Sequence, residues 1–65
     1  MNPTALVEVT FLNETPERDD DLLQILAMLN ILVSVRVGST FTDIYVDEFH
    51  LPLVKKFLTE AGYLW

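Results

Sequence analysis

Five of the ten carboxylates of this 65-residue chain fall within eight residues: Glu14, Glu17, Asp19, Asp20 and Asp21, in the run ETPERDDD. Carboxylates at that density can hold a metal ion, cap a helix, or meet the cationic groups of a partner. A metal centre fits poorly. Successive helical residues point about 100° apart, so Asp19, Asp20 and Asp21 cannot converge on one ion. The alternating acids and central glycine of an EF-hand loop are also absent. Capping explains part of the run, because Glu17 and Asp19 near a helix N-terminus each complement its dipole by about 0.3–1 kcal/mol. It does not require three consecutive aspartates together with Glu14 and Glu17, since like charges packed into one turn repel one another. Solubility or binding must explain the surplus.

A second acidic stretch holds Asp43, Asp47 and Glu48. Against the ten acids stand only Arg18, Arg36, Lys55 and Lys56, so the net charge is 4 − 10 = −6. So strong an imbalance selects basic partners and steers association with them. Other reactive side chains are few. His50 is the single histidine and stands just before a helix, where such a residue caps or faces solvent. Ser34 and Ser39 belong to no nucleophile motif, and there is no cysteine. The sequence therefore predicts a protein that is not an enzyme and needs no cofactor and no metal.

The elements that must position these charges are legible from periodicity. Ala5 to Leu12 alternates, with Ala5, Val7, Val9 and Phe11 on one face and Leu6, Glu8, Thr10 and Leu12 on the other, which predicts a half-buried strand. Thr15 is placed to cap a helix with Pro16 at its first position. Leu22, Leu23, Ile25, Leu26, Met28 and Leu29 then form a broad apolar face, and Asn30 ends the helix. In the second strand Ile31, Val33, Val35 and Val37 oppose Leu32, Ser34 and Arg36. Gly38-Ser39 is a hairpin signal suited to a primed turn. The third strand runs from Thr40 to Asp47, with Thr42, Ile44 and Val46 on one face and Phe41, Asp43, Tyr45 and Asp47 on the other. Pro52 belongs in the first turn of a last helix that starts near His50 or Leu51. Val54, Phe57, Leu58 and Ala61 form its buried stripe, and Gly62 ends it in a left-handed conformation. Tyr63-Leu64-Trp65 is an apolar tail, read as packing over the core edge or as a stub of a fourth strand.

The order β-α-β-β-α predicts a single α+β domain over residues 1–65. Its expected architecture is a three-stranded mixed sheet with two helices on one face, a ferredoxin-like unit lacking most of its last strand. The first two strands, joined through a helix, are expected to run parallel by a right-handed crossover, with the third between them. A chain this short buries only about 60% of its unfolded surface and is marginally stable. Yet 51% of its residues are hydrophobic, a surplus to be packed or used at an interface. No stretch reaches the roughly 20 apolar residues of a membrane span. No basic segment precedes an apolar run at the N-terminus. The expected compartment is the cytoplasm.

One sheet face is left open. Its exposed aromatics, Phe41 and Tyr45 beside Asp43, resemble the stacking platform of RNA-recognition folds. Nucleic acid requires a basic footprint, however, and this face sets Arg36 against Glu8, Asp43 and Asp47. Protein recognition suits these residues better. Successive same-face residues of a strand are about 7 Å apart, close to the step between phosphates along a DNA strand, so the carboxylates of this face can form a duplex-like stripe. ETPERDDD extends it at one end of the sheet, and Asp47 with Glu48 at the other.

In size, charge and element order the whole chain resembles the small acidic DNA-mimic and host-takeover proteins encoded by bacteriophages, though no motif carries the likeness. Those proteins occlude DNA-binding proteins such as the HU-type nucleoid protein, or block CRISPR effectors and RNA polymerase. The resemblance implies a basic DNA-binding partner, no direct contact with nucleic acid or membrane, and the host cytoplasm as compartment. It gives the role of partner contact to Glu14, Glu17, Asp19, Asp20, Asp21, Asp43, Asp47 and Glu48. The alternative from composition alone is a structural or assembly domain that homodimerises through its sheet, its charge serving solubility. In that reading strand one is the free edge, with Leu6 and Leu12 on the open face.

Overall fold

The computed structural model describes residues 5–65. Along the chain run β1 (Leu6–Leu12), α1 (Pro16–Met28), β2 (Leu32–Val37), β3 (Phe41–Asp47), one 3-10 turn (Glu48–His50) and α2 (Leu51–Glu60). The fold is thus α+β with the order βαββα. The sheet order is β1-β3-β2, which puts the third strand in the middle as expected. Both ladders are antiparallel. The expectation of a mixed sheet needs correction on this point: β1 and β2 run parallel to each other, but β3 separates them and no parallel ladder forms.

Alternation decides which face is buried. Val9 and Phe11 of β1 and Thr42, Ile44 and Val46 of β3 lie under the helices, which contribute Leu22 and Leu26 from α1 and Val54 and Leu58 from α2. Ile31 and Tyr63 complete the core. Tyr63 meets Phe11 edge-on, with ring centroids 5.1 Å apart. The one buried polar side chain among the described residues, Thr42, donates its hydroxyl to Asn13 Oδ1 at 2.6 Å.

Three details of β2 depart from the sequence pattern. A bulge between Leu32 and Ser34 breaks strict alternation, so Leu32 pairs with Val46 and packs on the core while Ser34 pairs with Tyr45 on the open face. Val35 and Val37 stand opposite the buried Ile44 and Thr42, yet remain exposed because the helices do not reach over this edge. The hairpin turns at Ser39-Thr40, closed by Gly38 N–H donating to Phe41 C=O at 2.9 Å. It is not a primed turn, which needs a positive φ at its first central residue; among the described residues only Asn30 and Gly62 have positive φ. The Gly38 carbonyl accepts instead from Asn13 Nδ2 at 2.8 Å. A Cβ on Gly38 would stand 2.5 Å from the Phe41 carbonyl oxygen, so backbone crowding requires glycine there.

The helices begin and end as their residues require. Thr15 adopts extended backbone and its hydroxyl accepts from Arg18 N–H at 3.2 Å, with Pro16 opening α1. The broad apolar face expected for α1 is only partly used. Leu22 and Leu26 are buried and Leu23 packs beside them, but Ile25, Met28 and Leu29 are exposed. Both helices stop in the same way. Asn30 (φ 58°) and Gly62 (φ 83°) are left-handed, and the following residue folds back on the helix. Ile31 N–H donates to Leu26 C=O at 2.9 Å, and Tyr63 N–H to Leu58 C=O at 2.8 Å. Each returning residue is apolar and buried, the usual partner of this cap. His50 precedes α2 without capping it through its side chain, and its Nδ1 is buried with no hydrogen-bond partner. No helix among the described residues is long and apolar enough to cross a membrane.

The left-handed cap gives a direct test. A Cβ on Gly62 would meet nothing within 4 Å, so an alanine there suffers only from its φ. Gly62→Ala should lose about 1–2 kcal/mol of stability, read from urea unfolding. A variant as stable as the parent would show that α2 does not need this cap.

Candidate functional site

The eight carboxylates singled out from the sequence occupy both faces of the sheet. In the helix layer, Glu14, Asp19 and Asp20 line a groove of about 350 Å³ between the start of α1 and the β2–β3 hairpin, with Asn13, Leu23 and Val37. Asp21 lines a separate groove of about 240 Å³ between the helices, beside Arg18, Ile25, Phe57 and Tyr63. Glu17 is exposed on the first turn of α1. Asp43 and Asp47 lie on the open sheet face, and Glu48 begins the 3-10 turn at the far end of β3.

Asp19 has a structural role. Its Oδ1 accepts from the Tyr63 hydroxyl at 2.7 Å and from Glu14 N–H at 3.1 Å. Arg18 completes the clasp. It pairs with Glu14 at 3.0 Å, stacks 5.3 Å above the Tyr63 ring and donates Nη2 to the Ala61 carbonyl at the end of α2. Nothing in the spacing of ETPERDDD signals this, because Tyr63 lies 44 residues from Asp19. The clasp leaves Asp20 and Asp21 as solvent-facing charges. It also occupies one of the four bases together with the acid Glu14, so the pair leaves the balance of the remaining charges at 3 − 9 = −6. Between described residues, Arg18–Glu14 is the one ion pair.

On the open face, register arranges the acids in rows. Leu6 stands opposite Asp47, Glu8 opposite Tyr45 and Thr10 opposite Asp43. Each of three successive rows therefore holds one carboxylate, with rows about 7 Å apart along the strands. Hydrogen bonds fix two of them. The Tyr45 hydroxyl donates to Glu8 Oε2 at 2.7 Å, and Thr10 Oγ1 donates to Asp43 Oδ1 at 2.6 Å. The bond to Glu8 is the main cause that raises the Tyr45 pKa, with desolvation and the nearby acids adding to it. Alternation already sets Glu8 on this face beside Asp43 and Asp47; its place between them in the file comes from the β1–β3 register. Arg36 is the one base on this face among the described residues, opposite Asp43. The face closes at Leu12 and Phe41, where Leu64 and Trp65 border an apolar hollow of about 320 Å³.

Among the described residues, no group of three or more His, Cys, Asp or Glu side chains is disposed to hold a metal ion. Comparison with protein-family models, with curated proteins and with solved structures found no match for this chain.

Tyr63 makes the clasp testable. Burial of the phenol, then its hydrogen bond to Asp19, raise its pKa far above the usual value. The folded state favours the neutral phenol. Its contribution is full below the unfolded pKa of about 10 and is lost as pH rises above it. Tyrosinate absorbance should therefore show Tyr63 ionising only as the chain unfolds in alkali, and Tyr63→Phe should abolish that late step. Asp19→Ala should cost about 1–3 kcal/mol, the scale of orphaning a polar partner, whereas Asp20→Asn should stay within about 0.5 kcal/mol. Equal effects at the two positions would refute the division between clasp and surface.

Proposed function

We propose that this chain is a non-enzymatic acidic protein that binds a basic protein and covers the surface with which that protein holds nucleic acid. The observation that carries this reading is the file of carboxylates Asp47, Glu8 and Asp43 in successive rows of the open sheet face. Their spacing of about 7 Å per row follows from strand geometry and matches the step between phosphates in an extended strand of DNA. Groups held by hydrogen bonds lose little freedom on binding, which favours Glu8 and Asp43 as preset contacts. Leu6, Leu12, Phe41 and Tyr45 supply apolar and aromatic contact area around them, as protein interfaces do.

The acids of α1 extend the negative field beyond the sheet. Asp20 and Asp21 carry surface charge without a structural duty, and Glu17 joins them on the same turn. A basic partner is drawn in by the field as a whole, then fixed by the rows. Mimicry of this kind needs no reaction and no cofactor.

The test keeps the fold and removes the charge. Glu8→Gln, Asp43→Asn and Asp47→Asn together retain oxygen acceptors for Tyr45 and Thr10 and should shift stability by less than about 1 kcal/mol. The probe is a basic nucleoid protein of the HU type with a short duplex in a gel-shift competition. The parent chain should displace the duplex at low salt and lose at least about tenfold in affinity between about 50 and 200 mM salt. The triple variant should associate at least about tenfold more slowly. Simultaneous binding of duplex and chain to that protein would refute mimicry for that target. A triple variant that competes as well as the parent would remove the role of the rows.

A further inference from the structure

We infer that two copies of this chain pair through the free edge of β2, joining their sheets into one six-stranded antiparallel sheet about a two-fold axis at Val35. The argument starts from which edge is free. On β1 the ladder ends with Asn13 N–H on Thr40 C=O and Glu48 N–H on Ala5 C=O, so the odd-numbered residues of β1 turn their backbone groups toward β3. Leu12 therefore points outward, and its N–H is already taken by the Leu64 carbonyl at 2.9 Å. The tail thus partly covers β1, the edge at which the sequence places self-association. On β2, Gly38 N–H binds Phe41 C=O. By alternation Gly38, Arg36 and Ser34 face β3, and Val35 and Val37 turn N–H and C=O outward. Among the described residues no backbone bond outside the sheet engages Val35 or Val37.

The chemistry of this edge selects its occupant. A copy of this chain carries −6, so it can approach only where acids are absent. From Leu22 to Thr42 there is no carboxylate and only one base, Arg36. Within that stretch Ile25, Met28, Leu29, Val33, Val35 and Val37 are all exposed. A basic partner finds nothing to pair with here, whereas a second neutral, β-branched edge does. On the helix side Glu14, Asp19 and Asp20 share a groove with Val37 at the end of the strand, away from the axis.

Register then follows from charge and from the bulge. Outward backbone groups on odd positions allow three two-fold pairings. One centred on Arg36 sets two guanidinium groups directly opposite, which repels. One centred on Ser34 places the Leu32/Ser34 bulge in the middle of the ladder. The pairing centred on Val35 sets valine against valine, Val37 beside the partner's Val33, and Arg36 opposite the partner's Ser34. It centres the ladder on the regular part of β2, leaves the bulge at its ends and separates like charges. Unlike the acidic rows, which it leaves open, this edge is independent of the proposed basic partner.

The chain has no native cysteine, so single cysteine substitutions read the register directly. Val35→Cys should give a disulfide-linked dimer under mild oxidation, because facing Cα atoms lie about 5.5 Å apart in such a pair. Ser34→Cys and Arg36→Cys should not cross-link, as each would stand out of reach of its own copy. Sedimentation of the full parent chain at tens of micromolar should give twice the chain mass. Val35→Pro removes one outward N–H at a position where an edge strand tolerates proline, and should yield a folded monomer by circular dichroism and sedimentation. A parent that stays monomeric at roughly 100 µM overturns the inference. So does cross-linking in Ser34→Cys or Arg36→Cys but not in Val35→Cys, or a dimer that persists in folded Val35→Pro. If Val35→Pro fails to fold, the cysteine series decides.

Discussion

Ile44 and Val46 are fully buried because β3 lies between the other two strands and under both helices. A chain of this length has one core to make, and the central strand gives it three fully buried side chains, Thr42, Ile44 and Val46. All other placements follow from that strand. Its alternate residues must lie on the uncovered face, so Asp43, Tyr45 and Asp47 are presented there by the same pleat that buries Thr42, Ile44 and Val46. Its pairing with β1 brings Glu8 to Tyr45 and Thr10 to Asp43. The acidic rows are thus a by-product of making the core, held in place at no further cost in order.

Polar side chains close this small structure at its ends. Asn13 joins the start of α1 to the hairpin through Thr42 and Gly38. Arg18, Asp19 and Glu14 tie α1 to Tyr63 and to the end of α2. These contacts sit where water reaches, and each is modest alone. Together they tie the start of α1 to the end of α2 and to the tail. They also sort the acidic run into residues that hold the fold and residues that face solvent.

The surface that results is divided. One sheet face and the first turns of α1 carry carboxylates; the end of α1 and the edge of β2 carry exposed apolar side chains and no acid. The two regions ask for different company. A cationic surface suits the first and finds no counter-charge on the second, while an extended neutral edge suits the second and finds no complementary charge on the first. The proposed pairing would present two acidic faces at once, which raises effective concentration at a partner that offers more than one basic surface.

Much of this was legible in the sequence, because local rules govern it. Alternation gave the faces of β1 and β3, since a pleat turns successive side chains to opposite sides. Thr15-Pro16, Asn30 and Gly62 marked helix ends through backbone preferences that need no partner. The order βαββα implied the middle place of β3. What the sequence could not determine depends on contacts between distant residues. The bulge that turns Leu32 inward, the exposure of Val35 and Val37, and the incomplete burial of the α1 face arise from where the helices end over the sheet. The joining of Asp19 to Tyr63 and of Glu8 to Tyr45 requires the tail and the register to be in place. Charge density is written in composition, but whether a given carboxylate braces the fold or faces a partner is decided only when packing sets what stands beside it.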